Sequence, residues 1–242
     1  MRVLVLSDIH ANLTALDAVL KDAGTVDEVW CLGDIVGYGP DPNECIQRIR
    51  YLANLTCVLG NHDAAVLGWI PLDTFHQDAR HAIYWTRSTL SRENLEWLAE
   101  IPERQTRENF TLVHGSPRNP VWEYLLDPIS AAQNFAYFET DYCLIGHTHI
   151  PLQFSFVSPE YPARWTQPMV RRQVHLHPRA ILNPGSVGQP RDHDPRAAYA
   201  ILDTEEALWH ARRVLYDIEA VQERILNADL PRRHAARLSD GW

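Results

Sequence analysis

Eight side chains that can bind metal ions or move protons stand at the ends of apolar runs. Asp8 and His10 lie in "SDIH", Asp34 closes "LGD", and Asn61 and His62 sit in "LGNHD". His114 ends "FTLVHG", and His147 and His149 flank one threonine in "LIGHTHI". On an extended backbone alternate side chains point the same way, so the last pair would offer two nitrogens to one place. Singly, each motif has a plainer reading: "SDIH" as a helix N-cap, "LGD" as a strand-to-turn ending, His114 as a satisfied structural histidine. Together, and setting His62 apart as an extra, they supply two Asp, one Asn and four His. A catalytic ion takes three or four protein groups. Seven groups, with a carboxylate able to bridge, suit two ions roughly 3.5–4 Å apart. Mixed imidazole and carboxylate ligation favours Mn, Fe, Zn, Co or Ni over Ca or Mg. A water shared by two such ions loses a proton near neutral pH and becomes a nucleophile.

Elements with the right polarity must bring these residues to one place. "RVLVLS", "EVWCLG" and "TCVLG" read as buried strands. Between them Leu13, Leu16, Val19 and Leu20, with Asn12 as N-cap, and then Ile46, Ile49, Leu52 and Ala53, fall at helical spacing. This β–α–β–α–β rhythm argues for a parallel sheet with helices packed on it. Such sheets gather their sites outside the carboxyl ends of the strands, which is where every motif falls. Residues 73–101 read as largely helical, with Ala79, Ala82, Ile83 and Thr86 on one face and a second helix starting near Ser91. "FTLVHG" and "YCLIGH" are two further strands. Beyond His149, "PLQFSFV", "QVHLH", "AILN", "AAYAILD" and "ALWHARRVLY" read as strands of antiparallel type, with a Pro-rich loop at Ser158–Pro168. A last helix at Ile218–Leu226 precedes an Arg-rich tail, residues 228–242, free to fray. One domain over residues 1–242, with two sheets and a helical insert or lid at 73–101, is the simplest architecture.

Composition narrows the function classes. Of 242 residues, 45% are hydrophobic and 22% charged, ordinary for a soluble globular protein. A net charge of −9 argues against non-specific binding to nucleic acid or an anionic membrane, leaving only local basic pairs such as Arg171–Arg172 and Arg232–Arg233. No run approaches the ~20 apolar residues of a membrane span, and "MRVLVLSD" is too short for a signal peptide. The four cysteines have no CxxC spacing and read as buried free thiols of a cytoplasmic protein.

The order DxH, GD, GNHD, H, GHTH resembles the calcineurin-like metallophosphoesterases, from Met1 to about residue 215. "SDIHANLTAL", "GDIVGYGPDP" and "LNPGSVGQPRD" are similar to a branch of compact bacterial and archaeal phosphodiesterases. The resemblance implies an α/β fold, a four-layer α/β/β/α sandwich of two mixed sheets. It implies one metal on Asp8, His10, Asp34 and His149, and a second on Asp34, Asn61, His114 and His147, with Asp34 bridging. By the same likeness His62 protonates the leaving oxygen or holds a phosphate oxygen, as an imidazole near neutrality can. The serine/threonine phosphatase form "GDxxDRG" is not matched: Gly37 and Tyr38 stand where its Asp and Arg would be, which counts against a phosphoprotein substrate. Asp63 is the nearest replacement in sequence for the missing support of His62. Softer candidates are Arg191 in the "NPGSVGQPR" loop, which with backbone N–H groups would hold phosphate, and Tyr38, which would stack on a base or close the pocket. In the insert His76, Arg80 and Trp85 are lid candidates.

These residues lead to a cytoplasmic hydrolase that uses two divalent ions, manganese among them. Its preferred substrate is a small phosphodiester, a nucleotide or cyclic nucleotide, attacked by a metal-bridging hydroxide. A phosphomonoesterase at the same site is the nearest alternative, and a non-catalytic interaction module on the same fold is the rival class. Neither a membrane nor long nucleic acid is an expected partner, and the oligomeric state is open.

Overall fold

The computed structural model describes residues 1–170 and 172–242; Arg171, half of one basic pair, lies outside the described residues. Two six-stranded mixed sheets form the centre. The first has the order β3 (Leu55–Cys57), β2 (Glu28–Cys31), β1 (Arg2–Leu6), β11 (Ala197–Asp203), β12 (Leu208–Val214), β9 (Gln173–His175). The second runs β4 (Arg104–Arg107), β5 (Phe110–Val113), β6 (Tyr142–Leu144), β10 (Ala180–Asn183), β7 (Leu152–Ser155), β8 (Arg164–Thr166). β1, β2 and β3 are parallel, as are β5, β6 and β10.

Strand β1 shows why its sequence is apolar throughout. Val3 and Val5 point between the sheets, against Trp30, Phe110, Leu144 and Leu182. Leu4 and Leu6 point outward, against Leu16 and Val19 of α1 (Leu13–Ala23) and Ile46 and Ile49 of α2 (Pro42–Arg50). A strand buried on both faces needs a continuous hydrophobic run. On the far side of the second sheet, Ala131 of α6 (Pro128–Asn134) and Phe135 pack on Cys143, Phe154 and Ile181. The layers are therefore α/β/β/α.

The helices refine the expectations. Asn12 caps α1 by accepting from the Ala15 N–H at 3.0 Å, and Ser91 caps α5 (Arg92–Ala99) by accepting from Asn94 at 3.2 Å. α2 ends at Arg50, so Leu52 and Ala53 lie beyond it. α3 (Asn61–Leu67) starts inside the "GNHD" motif, and α4 spans Gln77–Thr89. β8 lies in the stretch read as a Pro-rich loop, and β10 pairs antiparallel with β7 on one side, as expected, but parallel with β6 on the other. After α7 (Ile218–Asn227) the Arg-rich end is not loose: Arg232–Asp240 forms α8, with His234 and Leu238 buried. The four cysteines are free and buried, and no helix among the described residues is long and apolar enough to cross a membrane.

Candidate metal centre

The carboxyl ends of β1, β2 and β3 in one sheet, and of β5 and β6 in the other, open onto the same edge of the sandwich. Asp8 and His10 follow β1, Asp34 follows β2, Asn61 and His62 begin α3 after β3, His114 follows β5, and His147 and His149 follow β6. All eight are buried.

Their donor atoms fall into two groups. Asp8, His10, Asp34 and His149 form one, with His10 Nε2 and His149 Nε2 3.0 Å apart and His149 Nε2 3.3 Å from Asp8 Oδ1. Asp34, His114 and His147 form the other, with His114 Nε2 3.2 Å from His147 Nδ1; Asn61 Oδ1 joins it 3.0 Å from His114 Nε2. Asp34 Oδ2 belongs to both, 3.6 Å from His10 Nε2 and 3.4 Å from His114 Nε2. It is buried without a hydrogen-bond partner, whereas Asp34 Oδ1 accepts from the His62 N–H at 2.8 Å.

Each of the four imidazoles is held by a backbone carbonyl on its other nitrogen. His10 Nδ1 donates to Val36 (3.2 Å), His114 Nδ1 to Leu32 (2.8 Å), His147 Nε2 to Trp122 (3.1 Å) and His149 Nδ1 to Gln189 (2.5 Å). Those bonds hold each ring with its other nitrogen turned inward, and on His10 and His149, kept neutral by burial, that nitrogen carries a lone pair, as metal-ligating histidines require. Two inward lone pairs 3.0 Å apart repel unless a cation lies between them, so the donor set fits metal ions. The charges agree. Burial raises Asp8 to about 7, with the Asp34 charge adding to it. Burial pushes Asp34 up too, but His114, His62 and His10 together hold it well below the usual carboxylate range. His114 is pressed down by burial, yet Asp34 and Asp8 outweigh this and hold it at about 9. The buried carboxylates therefore draw positive charge into the cluster.

The chain reaches this geometry by turning. His147 and His149 are not on an extended backbone: their φ angles are 65° and 60°, in the left-handed region, and they serve different groups. Asp8 receives the His147 N–H on both oxygens, at 3.2 and 3.1 Å. The Asn183–Arg191 loop braces both turns. Asn183 Nδ2 donates to the Gly146 carbonyl at 2.5 Å and to Thr148 Oγ1 at 3.1 Å. The Val187 and Gly188 N–H groups donate to Ser7 and Asp8 carbonyls, and the Gln189 N–H to Ser186 Oγ. Those N–H groups are spent on the protein, and Arg191 is the charged side chain that the loop contributes. Its Nη2 donates to Gln189 Oε1 (3.1 Å) and Tyr38 OH (3.4 Å), and among the described residues no carboxylate pairs with it.

Among the described residues His62 has no carboxylate hydrogen-bonded to its ring. Asp63 turns away, accepting from the Gly60 and Val36 N–H groups at 3.1 Å each, so it caps α3 and does not support His62. Burial lowers His62 to about 4 against the pull of Asp34, and its Nδ1 is buried without a partner. Tyr38 lies beside it, ring centroids 4.3 Å apart. Three aromatics that the sequence did not single out complete the mouth. Phe75 meets His62 edge-on at 5.2 Å and Trp122 at 5.0 Å, while Tyr124, 45% exposed, stacks on His147 at 3.7 Å. Of the lid candidates, His76 caps α4, and Arg80 and Trp85 line a surface groove with Tyr84. Loop aromatics carry no periodic signal; their spacing to His114 and His62 is the only hint the sequence holds.

A model of the calcineurin-like phosphoesterase superfamily domain matches residues 1–207. An uncharacterized protein of Methanocaldococcus jannaschii, MJ0912, is 39% identical over 97% of this chain and 96% of its own length. The crystal structure of a metallophosphoesterase from Sphaerobacter thermophilus is 46% identical, with a TM-score of 0.92 over 100% of this chain and 99% of that one. The symmetrical bis(5'-nucleosyl)-tetraphosphatase of Glaesserella parasuis is 28% identical over 51% of this chain and 47% of its own length, a likeness confined to about half of each.

Proposed function

The chain belongs to the calcineurin-like phosphoesterase superfamily, and from that premise we propose that it hydrolyses a small phosphodiester at a centre of two divalent ions. The observation that carries this reading is Asp34 Oδ2, buried without a hydrogen-bond partner between two separate sets of imidazoles. Asp8, His10, Asp34 and His149 would hold one ion, and Asp34, Asn61, His114 and His147 the other. Ions of the Mn, Fe, Zn, Co or Ni class supply Lewis-acid polarisation of the phosphoryl group and activate the attacking water.

The protein's own groups do the rest. The carbonyls of Val36, Leu32, Trp122 and Gln189 keep the imidazoles in one tautomer and one orientation. Arg191, with no carboxylate to neutralise it, binds a non-bridging phosphate oxygen. His62 donates a hydrogen bond to the leaving oxygen and passes it a proton. Lacking a carboxylate partner, it depends on the negative charge of the bound ester to raise its basicity. Arg191, the permanently charged side chain placed to meet the phosphate, suits the single charge of a diester better than the double charge of a monoester. Tyr38, Trp122 and Tyr124 offer ring faces to a nucleoside, in line with a nucleotide or cyclic nucleotide.

The test is hydrolysis of bis(p-nitrophenyl) phosphate and p-nitrophenyl phosphate by the Mn-loaded protein, beside Asp34→Asn and His62→Ala. The expected outcome is a faster diester reaction, loss of both metal and turnover in Asp34→Asn, and retained metal with turnover lowered roughly 10²–10⁴-fold in His62→Ala. A wild-type protein that holds metal yet cleaves neither ester would favour the interaction-module reading.

A further inference from the structure

The family match ends at residue 207, but α7 and α8 continue the chain and form one wall of the site. Val221, Ile225, Ala235 and Leu238 pack with Ala82 of α4. Arg224 forks onto Asp41, Nε to Oδ1 at 3.0 Å and Nη2 to Oδ2 at 2.9 Å, and reaches Thr14 Oγ1 at 2.7 Å. The His193 N–H donates to the Gly241 carbonyl at 2.8 Å, so the end of α8 is tied to the segment just after Arg191. This pair is anchored from three sides.

On α8 the side chain of His234 is buried, 3% exposed. The ring stands 4.8 Å from the ring of Tyr38, and its Nε2 donates to the Asp78 carbonyl at 3.1 Å. Tyr38 meets His62 at 4.3 Å and His10 at 4.6 Å, and its hydroxyl receives Arg191. Tyr38 also has a φ of 59°, which a bulky residue adopts only when its surroundings hold it there. The cavity shared by His10, Tyr38, Gln189, His234 and Leu238 measures about 10 Å³, space for a single water.

We propose that His234 is a positioning residue of the site: by backing Tyr38 it fixes the phenol and, through the hydroxyl, the Arg191 guanidinium that meets the substrate's phosphate. This rests on the phosphoester reading above. It gives the C-terminal helices a part in substrate binding that the matched domain alone does not have.

The experiment compares Mn-loaded wild type, His234→Ala, His234→Gln, His234→Phe, Tyr38→Ala and the double variant His234→Ala with Tyr38→Ala. The substrate is bis(p-nitrophenyl) phosphate, with bound metal and melting temperature measured throughout. His234→Ala should raise KM about tenfold with kcat within about threefold and the metal retained. His234→Gln, which keeps a donor for Asp78 but not the ring, should do the same and carries the comparison if the alanine variant does not fold. His234→Phe should restore KM, and the double variant should match Tyr38→Ala within about twofold, since one effect acts through the other. A second readout needs no turnover: in protein with ¹³C-labelled tyrosine, the Tyr38 ring signal, assigned by its loss in Tyr38→Phe, should sharpen and average in His234→Ala. KM within twofold of wild type in a folded, metal-loaded His234→Ala, full additivity with Tyr38→Ala, or an unchanged Tyr38 signal would overturn the proposal. If wild type cleaves no ester, the hydrolase reading fails, and the ring signal alone still decides the positioning.

Discussion

Gly60 gives the sharpest mutational test of the shared carboxylate. Its backbone, φ −92° and ψ 170°, is one that any residue adopts, so an alanine there meets no conformational penalty. Space is the obstacle: a Cβ would lie 2.1 Å from Asp34 Oδ1 and 2.2 Å from the Asp34 nitrogen. Ordinary contact needs about 3.4 Å or more between such atoms, so Asp34 must retreat by roughly 1 Å. Its Oδ1 is fixed by the His62 N–H at 2.8 Å, and the whole residue is buried, so the retreat drags both turns. Overpacking of this kind costs about 1–3 kcal/mol, which for a chain of this size lowers Tm by about 2–4 °C per kcal/mol. A misplacement of about 1 Å in a positioned catalytic group costs on the order of 10²-fold in rate. Gly60→Ala should therefore fold, melt a few degrees lower, bind less Mn and hydrolyse bis(p-nitrophenyl) phosphate about a hundredfold more slowly. Gly24→Ala is the control. Its φ is +67° with ψ −147°, a region kept almost to glycine, and nothing lies within 4 Å of its Cβ, so it should lose about 1–3 kcal/mol of stability and no turnover. Turnover within threefold of wild type in Gly60→Ala, at full metal content, would refute the claim that the position of Asp34 sets activity.

Metal addition should stabilise: at a hundredfold excess over Kd, Mn contributes about 2.7 kcal/mol, a rise in Tm of about 5–10 °C that a thermal melt would detect and that Asp34→Asn should abolish. Asn183→Ala should destabilise by about 1–3 kcal/mol in urea titrations, because it leaves the buried Gly185 N–H without its acceptor and takes from the Gly146 carbonyl one of its two donors, the other being the Thr148 N–H; an effect below about 0.5 kcal/mol would mean the brace is dispensable. Burial lowers His234 to about 4 from an ordinary 6.5. A histidine held neutral in the fold adds nothing to the pH dependence above 6.5. Between 6.5 and 4 the unfolded chain takes up a proton that the folded one refuses, so stability falls as pH falls, by at most roughly 3 kcal/mol. Urea midpoints of wild type and His234→Phe at pH 7.5 and 5.0 should converge toward acid; parallel losses would contradict this.

How much could be read beforehand depended on burial and length. Strand β1 and helix α1 are buried over enough residues for their periods to show, and the ligand types at strand ends needed no geometry to be noticed. Of the elements that escaped, three show the physical reasons. α3 has seven residues, too few for a helical period. α8, "RRHAARLSD", buries only His234, Ala235 and Leu238, so its charged face dominates its composition. β8 is a three-residue edge strand with every residue exposed, which alternation cannot reveal. Strand logic also sent His147 and His149 the same way, because it could not know that the chain turns left-handed at both. Asp63 looked like support for His62 by adjacency alone; the helix start claims its carboxylate instead.

That left-handed backbone recurs too often at the site to be incidental. Asp8, His10, Asp34, His147 and His149, five of the seven candidate ligands, have φ between 49° and 65°. For most L-residues the region costs about 1–2 kcal/mol, but aspartate, asparagine and histidine enter it several-fold more readily than others. The residue types that suit metal ligation are thus also the types that tolerate the turn needed to bring strand ends onto one centre. Ala11 and Tyr38 share the conformation without that tolerance. Their strain has to be held by the surroundings: for Ala11 by the bond from its N–H to the Ile35 carbonyl at 2.9 Å, next to that from His10 to Asp34 at 2.9 Å. These bonds join the turns after β1 and β2 into one unit. Tyr38 has no comparable tie from its own N–H among the backbone bonds between turns, and its ring is instead enclosed by His10, His62 and His234. Side-chain packing takes the place of a backbone bond there, which is why a helix outside the matched domain can act on the site at all.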